Sequence, residues 1–216
     1  MKILELTLPS SNLDKQEHLF RNVLGFQCSR IDHGQLTIQC GANTLNFVAA
    51  ERQFCFHYCW LIPPGCLPAL IKFLDERNFE PLLYEGERIV DFGNGRAVYF
   101  YDADGNLAEF IERPSLGHQT QSTFAIGDVI RLNEIGIPTE DPRQTAAELI
   151  DKFKIELVEG AVFRDDFVWC GDFEGVLLLP RVGRNWLPTN KPAELNDLDV
   201  RFETAAGPFE LKNRVG

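Results

Sequence analysis

One acid, Glu109, stands inside an otherwise apolar segment, and the chemistry of this chain starts there. The stretch Arg96–Glu112, RAVYFYDADGNLAEFIE, reads as two strands joined at Asp104-Gly105-Asn106. Those turn residues tolerate the positive φ that a tight hairpin needs. Alternation puts Tyr99 and Tyr101 on one face of the first strand, and Leu107, Glu109 and Ile111 on one face of the second. A carboxylate on a buried strand face is costly unless it meets a metal ion, a cation or hydrogen-bond donors. His57, in FCFHYCW, shares a strand face with Cys55 and Cys59. A single His on an apolar strand is ordinarily a hydrogen-bonded core residue, and two such cysteines are ordinarily small buried hydrophobes. Arg88 and Arg96 flank the polar loop Gly86–Gly95, where they either receive an anion or stay solvated.

The elements that position these residues repeat along the chain. Ile3–Leu8 is a short strand followed by Pro9-Ser10-Ser11-Asn12 and an amphipathic helix, LDKQEHLFRNVLG, with Leu13, Leu19, Phe20, Val23 and Leu24 as its apolar stripe and Gly25 as its stop. Strands around Gln27–Ile31, Leu36–Cys40 and Thr44–Ala49 complete the unit. A second copy runs from the strand Phe54–Ile62 through a helix over Cys66–Arg77 and a short strand at Pro81–Glu85 to the hairpin at 98–111. A third starts after the polar stretch Arg113–Asp128. There Leu132-Asn133-Glu134-Ile135 lines up with Ile3-Leu4-Glu5-Leu6, and strands follow near Ile155–Glu159, Phe163–Cys170 and Val176–Leu179. Asp199–Glu203 hints at a fourth. Units of βαβββ form predict an α+β fold of curved mixed sheets with helices outside. The expected domains are residues 1–113 as a complete pair of units, 114–128 as a linker, and 129–216 as a partly degenerate third unit with an extension.

With 216 residues, 44% hydrophobic and 25% charged, the chain has the balance of a globular protein able to bury a core. A net charge of -11 argues against nucleic acid, whose phosphates require a basic face. No apolar run approaches the roughly 20 residues of a membrane span, and the N-terminus does not read as a signal peptide, so no membrane partner and a cytoplasmic location are expected. The 6 cysteines form no CxxC pair and read as reduced and buried.

The opening LELTLPSSNLDKQEHLFRNVLGF and the closing GNGRAVYFYDADGNLAEFIE resemble the vicinal oxygen chelate superfamily, which includes glyoxalase I, bleomycin- and fosfomycin-resistance proteins and extradiol dioxygenases. The likeness covers residues 1–113. It implies a metal inside a cup built from two units, held by side chains of their first and last strands. By position these are Glu5 and His57 on the first strands, and Asn46 and Glu109 on the last. Glu5 stands where the family often has His, and Asn46 where glyoxalase I-like members carry an acid.

The resemblance therefore implies Glu5, His57 and Glu109 as ligands of one divalent ion, Fe, Mn, Ni, Co or Zn. Such a shell suits nitrogen- and oxygen-binding metals and leaves positions for substrate oxygens. A displaced carboxylate, Glu5 or Glu109, would serve as general base, while Tyr99, Tyr101, Arg96 and Asn46 are the candidate substrate contacts. The expected activity is that of a glyoxalase-like lyase or isomerase acting on a small oxygenated molecule. Oxygenation is less favoured, because dioxygenase-like members keep two His and one Glu. The alternative is a metal-free protein that sequesters a small ligand, as the bleomycin-resistance proteins do. Pairing of chains into a homodimer is a common device of the family. The third unit, lacking an acid on its closing strand GVLLLPR, is expected to carry no metal. The segment RVGRNWLPTNKP, with Trp186, is expected to act as a cover.

Overall fold

The computed structural model describes residues 1–31 and 34–215. The first unit consists of β1 (Lys2–Ser10), α1 (Leu13–Glu17), β2 (Gln27–Ile31), β3 (Gln35–Cys40) and β4 (Asn43–Ala49). The second comprises β5 (His57–Ile62), α2 (Leu67–Asp75), the two-residue β6 (Val90–Asp91), β7 (Arg96–Tyr101) and β8 (Leu107–Glu112). The third has β9 (Arg131–Gly136), α3 (Pro142–Phe153), β10 (Phe167–Asp172) and β11 (Gly175–Pro180), and a hairpin of β12 (Leu198–Thr204) and β13 (Gly207–Asn213) follows. In each unit the first and last strands lie side by side in parallel, as β1–β4, β5–β8 and β9–β11. Units then join through antiparallel contact of their first strands, β1 with β12 and β5 with β9. The result is two curved mixed sheets, ordered β13-β12-β1-β4-β3-β2 and β10-β11-β9-β5-β8-β7-β6.

This pairing differs from the cup expected of the two leading units. The first and second units lie in different sheets, and the second shares its sheet with the third. The burial patterns supply the reason. Every residue of β5 is buried, and so are five of the six in β9. Strands of that kind need apolar cover on both faces. β1 alternates along its length, as does β12, so those two suit a sheet with one wetter face. Local spans differ as well. The helix after β1 continues past Glu17 as a π-helical segment, His18–Leu24, before Gly25 stops it at φ 85°. Pro81–Glu85 forms no ladder, only an isolated bridge from Tyr84 to Glu87. Leu82 N–H instead donates to the carbonyl of Tyr99 at 2.7 Å. Near Ile155–Glu159 the only pairing among the described residues is a bridge from Leu157 to Cys170.

β5 carries the core on one face and the cup on the other. Tyr58, Trp60 and Ile62 belong to the main apolar cluster, while Cys59 and Leu61 belong to a second cluster with Tyr99, Leu107, Ile111 and Trp186. The Trp60 ring lies within 5.1–5.9 Å of Phe110, Phe26 and Phe20, and Phe20 meets Phe47 of β4 at 5.7 Å. These aromatic contacts tie the two sheets together.

A buried polar joint reinforces them. Asp102 accepts from the Asp104 and Asn106 N–H groups at 2.9 Å and from the Tyr58 hydroxyl at 2.7 Å, which shapes the turn around Gly105 (φ 79°). Asp104 accepts from Ser10, from Ser11 at 2.7 Å and from the Gln16 amide at 3.0 Å. The hairpin turn of the second unit is thereby pinned to the end of β1 and the start of α1. Removing the Asp104 carboxylate strands buried Ser10 and Gln16 donors, so Asp104→Ala is expected to cost about 2–3 kcal/mol. Urea unfolding should show a lower midpoint with an unchanged slope; an unaltered midpoint would show that the joint is dispensable.

Candidate metal centre

Strand register brings three chemical groups to one spot. Cys59 in the middle of β5 stands opposite Glu109 on β8 and opposite Glu134 on β9. His57 lies two residues earlier on the same face. The pairing of β5 with β9 slips by one residue between Cys59 and Trp60, leaving Asn133 outside the register. Bulges of this kind re-aim side chains next to functional sites. The counterpart strand β1 slips in the same way at Leu4, matching the alignment of Glu134 with Glu5.

One ligand atom from each of His57, Glu109 and Glu134 lies within 4.8 Å of the other two, and all three residues are buried. His57 Nε2 is 3.3 Å from Glu109 Oε2 and 3.8 Å from Glu134 Oε2. Donors about 2.0–2.2 Å from one metal ion stand roughly 3.0–3.5 Å from each other, so the trio is close to a ligand set already. Two of the spare atoms have a partner. His57 Nδ1 lies 3.2 Å from the carbonyl of Leu107, to which it donates in the tautomer that frees Nε2. Arg113 donates to Glu134 Oε1. Tyr99 faces Glu109 across the β7–β8 ladder. The residues fit a divalent cation with one nitrogen and two oxygen donors.

A cavity of about 600 Å³ opens onto this trio, walled by Phe92, Tyr99, Phe167, Trp169 and Trp186 and lined also by Arg113. The Trp186 ring lies over the His57 ring at 5.2 Å. It is seated by Gly136, where a Cβ would come within 2.4 Å of Cη2. Lys191, five residues later, donates to the carbonyl of Gly105 at 2.6 Å and lies over the Tyr101 ring. The segment around Trp186 is thus strapped to the turn of the second unit, in the covering position expected from sequence.

Of the residues singled out from sequence, His57, Glu109 and Tyr99 meet in this cavity. Glu5 does not. It lies in the other sheet, pairs with Arg201 at 2.9 Å and accepts from the Asn46 amide at 3.1 Å. Asn46 is engaged there too, accepting from Thr37 at 2.8 Å. Arg96 is bound to Glu112, Arg88 to Asp75, and Tyr101 lines a shallow groove with Asp14 and His18 rather than the cavity. The second carboxylate beside His57 is Glu134, from the unit expected to carry no metal. Its alignment with Glu5 is the signal the sequence offers, and the strand pairing places Glu134 rather than Glu5 beside His57.

No family model and no curated protein matches the sequence. Among solved structures, a candidate dioxygenase of Bacillus subtilis matches 96% of this chain and 72% of its own, with a TM-score of 0.64 at 16% identity. The fold is of the vicinal oxygen chelate type. A lactoylglutathione lyase from Agrobacterium tumefaciens matches 51% of the chain and 92% of its own at 19% identity, TM-score 0.44. A glyoxalase/dioxygenase from Nostoc punctiforme matches 52% and 91% at 15% identity, TM-score 0.42.

On this vicinal oxygen chelate scaffold the trio has a defined electrostatic state without metal. Burial works against charge on His57, but Glu109 and Glu134 outweigh it and raise its pKa from 6.5 to about 9. Burial, reinforced by the charge of Glu134, raises the pKa of Glu109. Burial also acts on Glu134, yet Arg113 and then His57 overcome it and lower its pKa. A His whose pKa is higher folded than unfolded stabilises fully below the unfolded value and loses that contribution as pH climbs through the folded one. Chelator-treated protein is therefore expected to lose melting temperature between pH 6.5 and 9, and His57→Gln should flatten that slope. A profile that is level in the wild type would contradict the assigned ion cluster.

Proposed function

We propose that this chain is a metal-dependent enzyme of the vicinal oxygen chelate type, with His57, Glu109 and Glu134 as the protein ligands. Its substrate is a small molecule carrying two adjacent oxygens, and its reaction a proton-transfer isomerisation or lyase step. The observation that carries this reading is the convergence of the three buried donor atoms on the wall of a cavity, with His57 Nδ1 and Glu134 Oε1 already engaged. A divalent ion there would supply Lewis acidity, polarising substrate oxygens and stabilising negative charge that develops on them.

The chain's own residues divide the remaining work. Without an ion the two carboxylates are driven apart, Glu109 upward by burial and Glu134 downward by Arg113. Glu109, the carboxylate not held by Arg113, is the one that would leave the ion to take and return a proton beside the substrate carbonyl. Glu134, held by Arg113, stays ionised as a ligand. Tyr99 keeps its proton, because burial and the neighbouring Glu109 push its pKa well up, and so it is a hydrogen-bond donor at the cavity wall. The aromatic walls exclude water and orient an organic substrate. Six free cysteines fit a reducing, cytoplasmic setting.

Metal content of untagged protein purified without chelator, read by elemental mass spectrometry, tests this reading. Near-stoichiometric Fe, Mn, Ni, Co or Zn is expected in the wild type and in Glu5→Gln. The ion should be lost in His57→Ala and in Glu134→Gln, with folding checked by circular dichroism. Wild-type protein that takes up no metal, even on reconstitution, would turn the assignment to a metal-free sequestering protein.

A further inference from the structure

Arg113 follows directly on β8 and is 1% exposed. Each of its three guanidinium nitrogens is engaged: Arg113 donates to Glu134 Oε1, to Asn133 Oδ1 at 3.0 Å and to the carbonyl of Asn94 at 3.2 Å. It also lies 5.1 Å from the centre of the Phe173 ring. Gly95 keeps the space, since a Cβ there would stand 3.2 Å from Nη1. With every guanidinium nitrogen already bound to protein, Arg113 acts on the site as a positioning group that supplies charge.

Two consequences follow from the geometry. Arg113 takes one oxygen of Glu134 and leaves the other, Oε2, facing His57. Glu134 can then offer a metal one oxygen, not two, which leaves a further position open to ligand. The second consequence is charge. A neutral His57 and two carboxylates cancel a divalent ion, and the guanidinium remains as an uncancelled positive charge in a buried setting. Towards the mouth the charges balance, with Arg164 and Arg184 both pairing with Asp166 and Glu159 also on the wall.

We infer that Arg113 sets the ligand class of the proposed centre: a singly charged anion with two adjacent oxygens, such as an α-hydroxycarboxylate. The inference rests on the metal-centre reading above. It runs against the net charge of -11, which by itself suggests a cationic ligand. Burial makes the local charge the deciding one, because low dielectric strengthens near charges while solvent and salt screen the surface.

Cobalt-loaded protein and a matched pair of probes, glycolate and its neutral isostere glycolamide, test this through the visible cobalt spectrum. Wild type is expected to prefer glycolate at least about ten-fold more strongly than free Co²⁺ does in the same buffer. Arg113→Met should bring that preference down to the free-ion ratio and weaken Co²⁺ binding by about 10–100-fold. Arg113→Lys, which keeps the charge but not the fork, should keep the glycolate preference. It should also change the cobalt absorption intensity as Glu134 gains its second oxygen. A wild-type preference equal to that of free cobalt overturns the inference, and this reading needs no variant. An Arg113→Met variant that folds and keeps the full preference overturns it as well. Protein that binds no Co²⁺ overturns the metal centre and this inference together, whereas cobalt bound without glycolate preference overturns the inference alone.

Discussion

Two carboxylates and an imidazole buried within 4.8 Å of one another form the arrangement on which this structure turns. Burying such groups unpaired would cost several kcal/mol each, so the surrounding strands must supply compensation. They do so in order of distance. His57 lies between the acids, Leu107 holds the far side of its ring, and Arg113 takes the far oxygen of Glu134. Asn133, displaced from the ladder by the bulge, and the carbonyl of Asn94 then satisfy Arg113 itself. Local irregularities that look like defects in the sheet are therefore the means by which the polar cluster is completed.

The same logic explains why the conspicuous turn Asp102–Asn106 sits outside the chemistry. Its acids are used up by Tyr58, Asn106, Ser10, Ser11 and Gln16. They hold the second unit against the first, and so hold β5 and β8 in the register that aligns Cys59 with Glu109. Lys191 reaches the same turn through the carbonyl of Gly105, bringing Trp186 over His57. One hairpin end thus joins the sheets and anchors the cover of the cavity.

Repetition of one unit has produced two first-strand pairings with different outcomes. In one sheet β9 meets β5, and Glu134 faces a histidine and a second acid. In the other β1 meets β12, and the equivalent Glu5 stands opposite Arg201. A guanidinium neutralises Glu5 at a partly exposed position, and nothing further is demanded of it. Equivalent residues on equivalent strands thus acquire different chemistry from their neighbours alone.

Local chemistry was enough to read much of this molecule. The βαβββ periodicity, the Asp-Gly turn, and the placement of His57 and Glu109 on apolar strands follow from side-chain alternation and turn conformation, which depend on residues close in sequence. The same alternation put Tyr99 on the cup face. Spans without such a signal were missed. The short stretch around Pro81 resembles a strand only by composition, and the π-helical continuation of α1 keeps nearly the same apolar stripe as an α-helix. Alignment of Leu132–Ile135 with Ile3–Leu6 even marked Glu134 as a counterpart of Glu5, yet could not say which of the two would meet His57. That choice belongs to the tertiary structure. It depends on which first strand β5 selects, and β5, buried along its whole length, needs the equally buried β9 rather than the alternating β1. Arg113 lay hidden at the edge of an apparent linker for the same reason. Its partners Asn94, Asn133 and Glu134 are 19 to 21 residues away, and only the folded sheet brings them within reach.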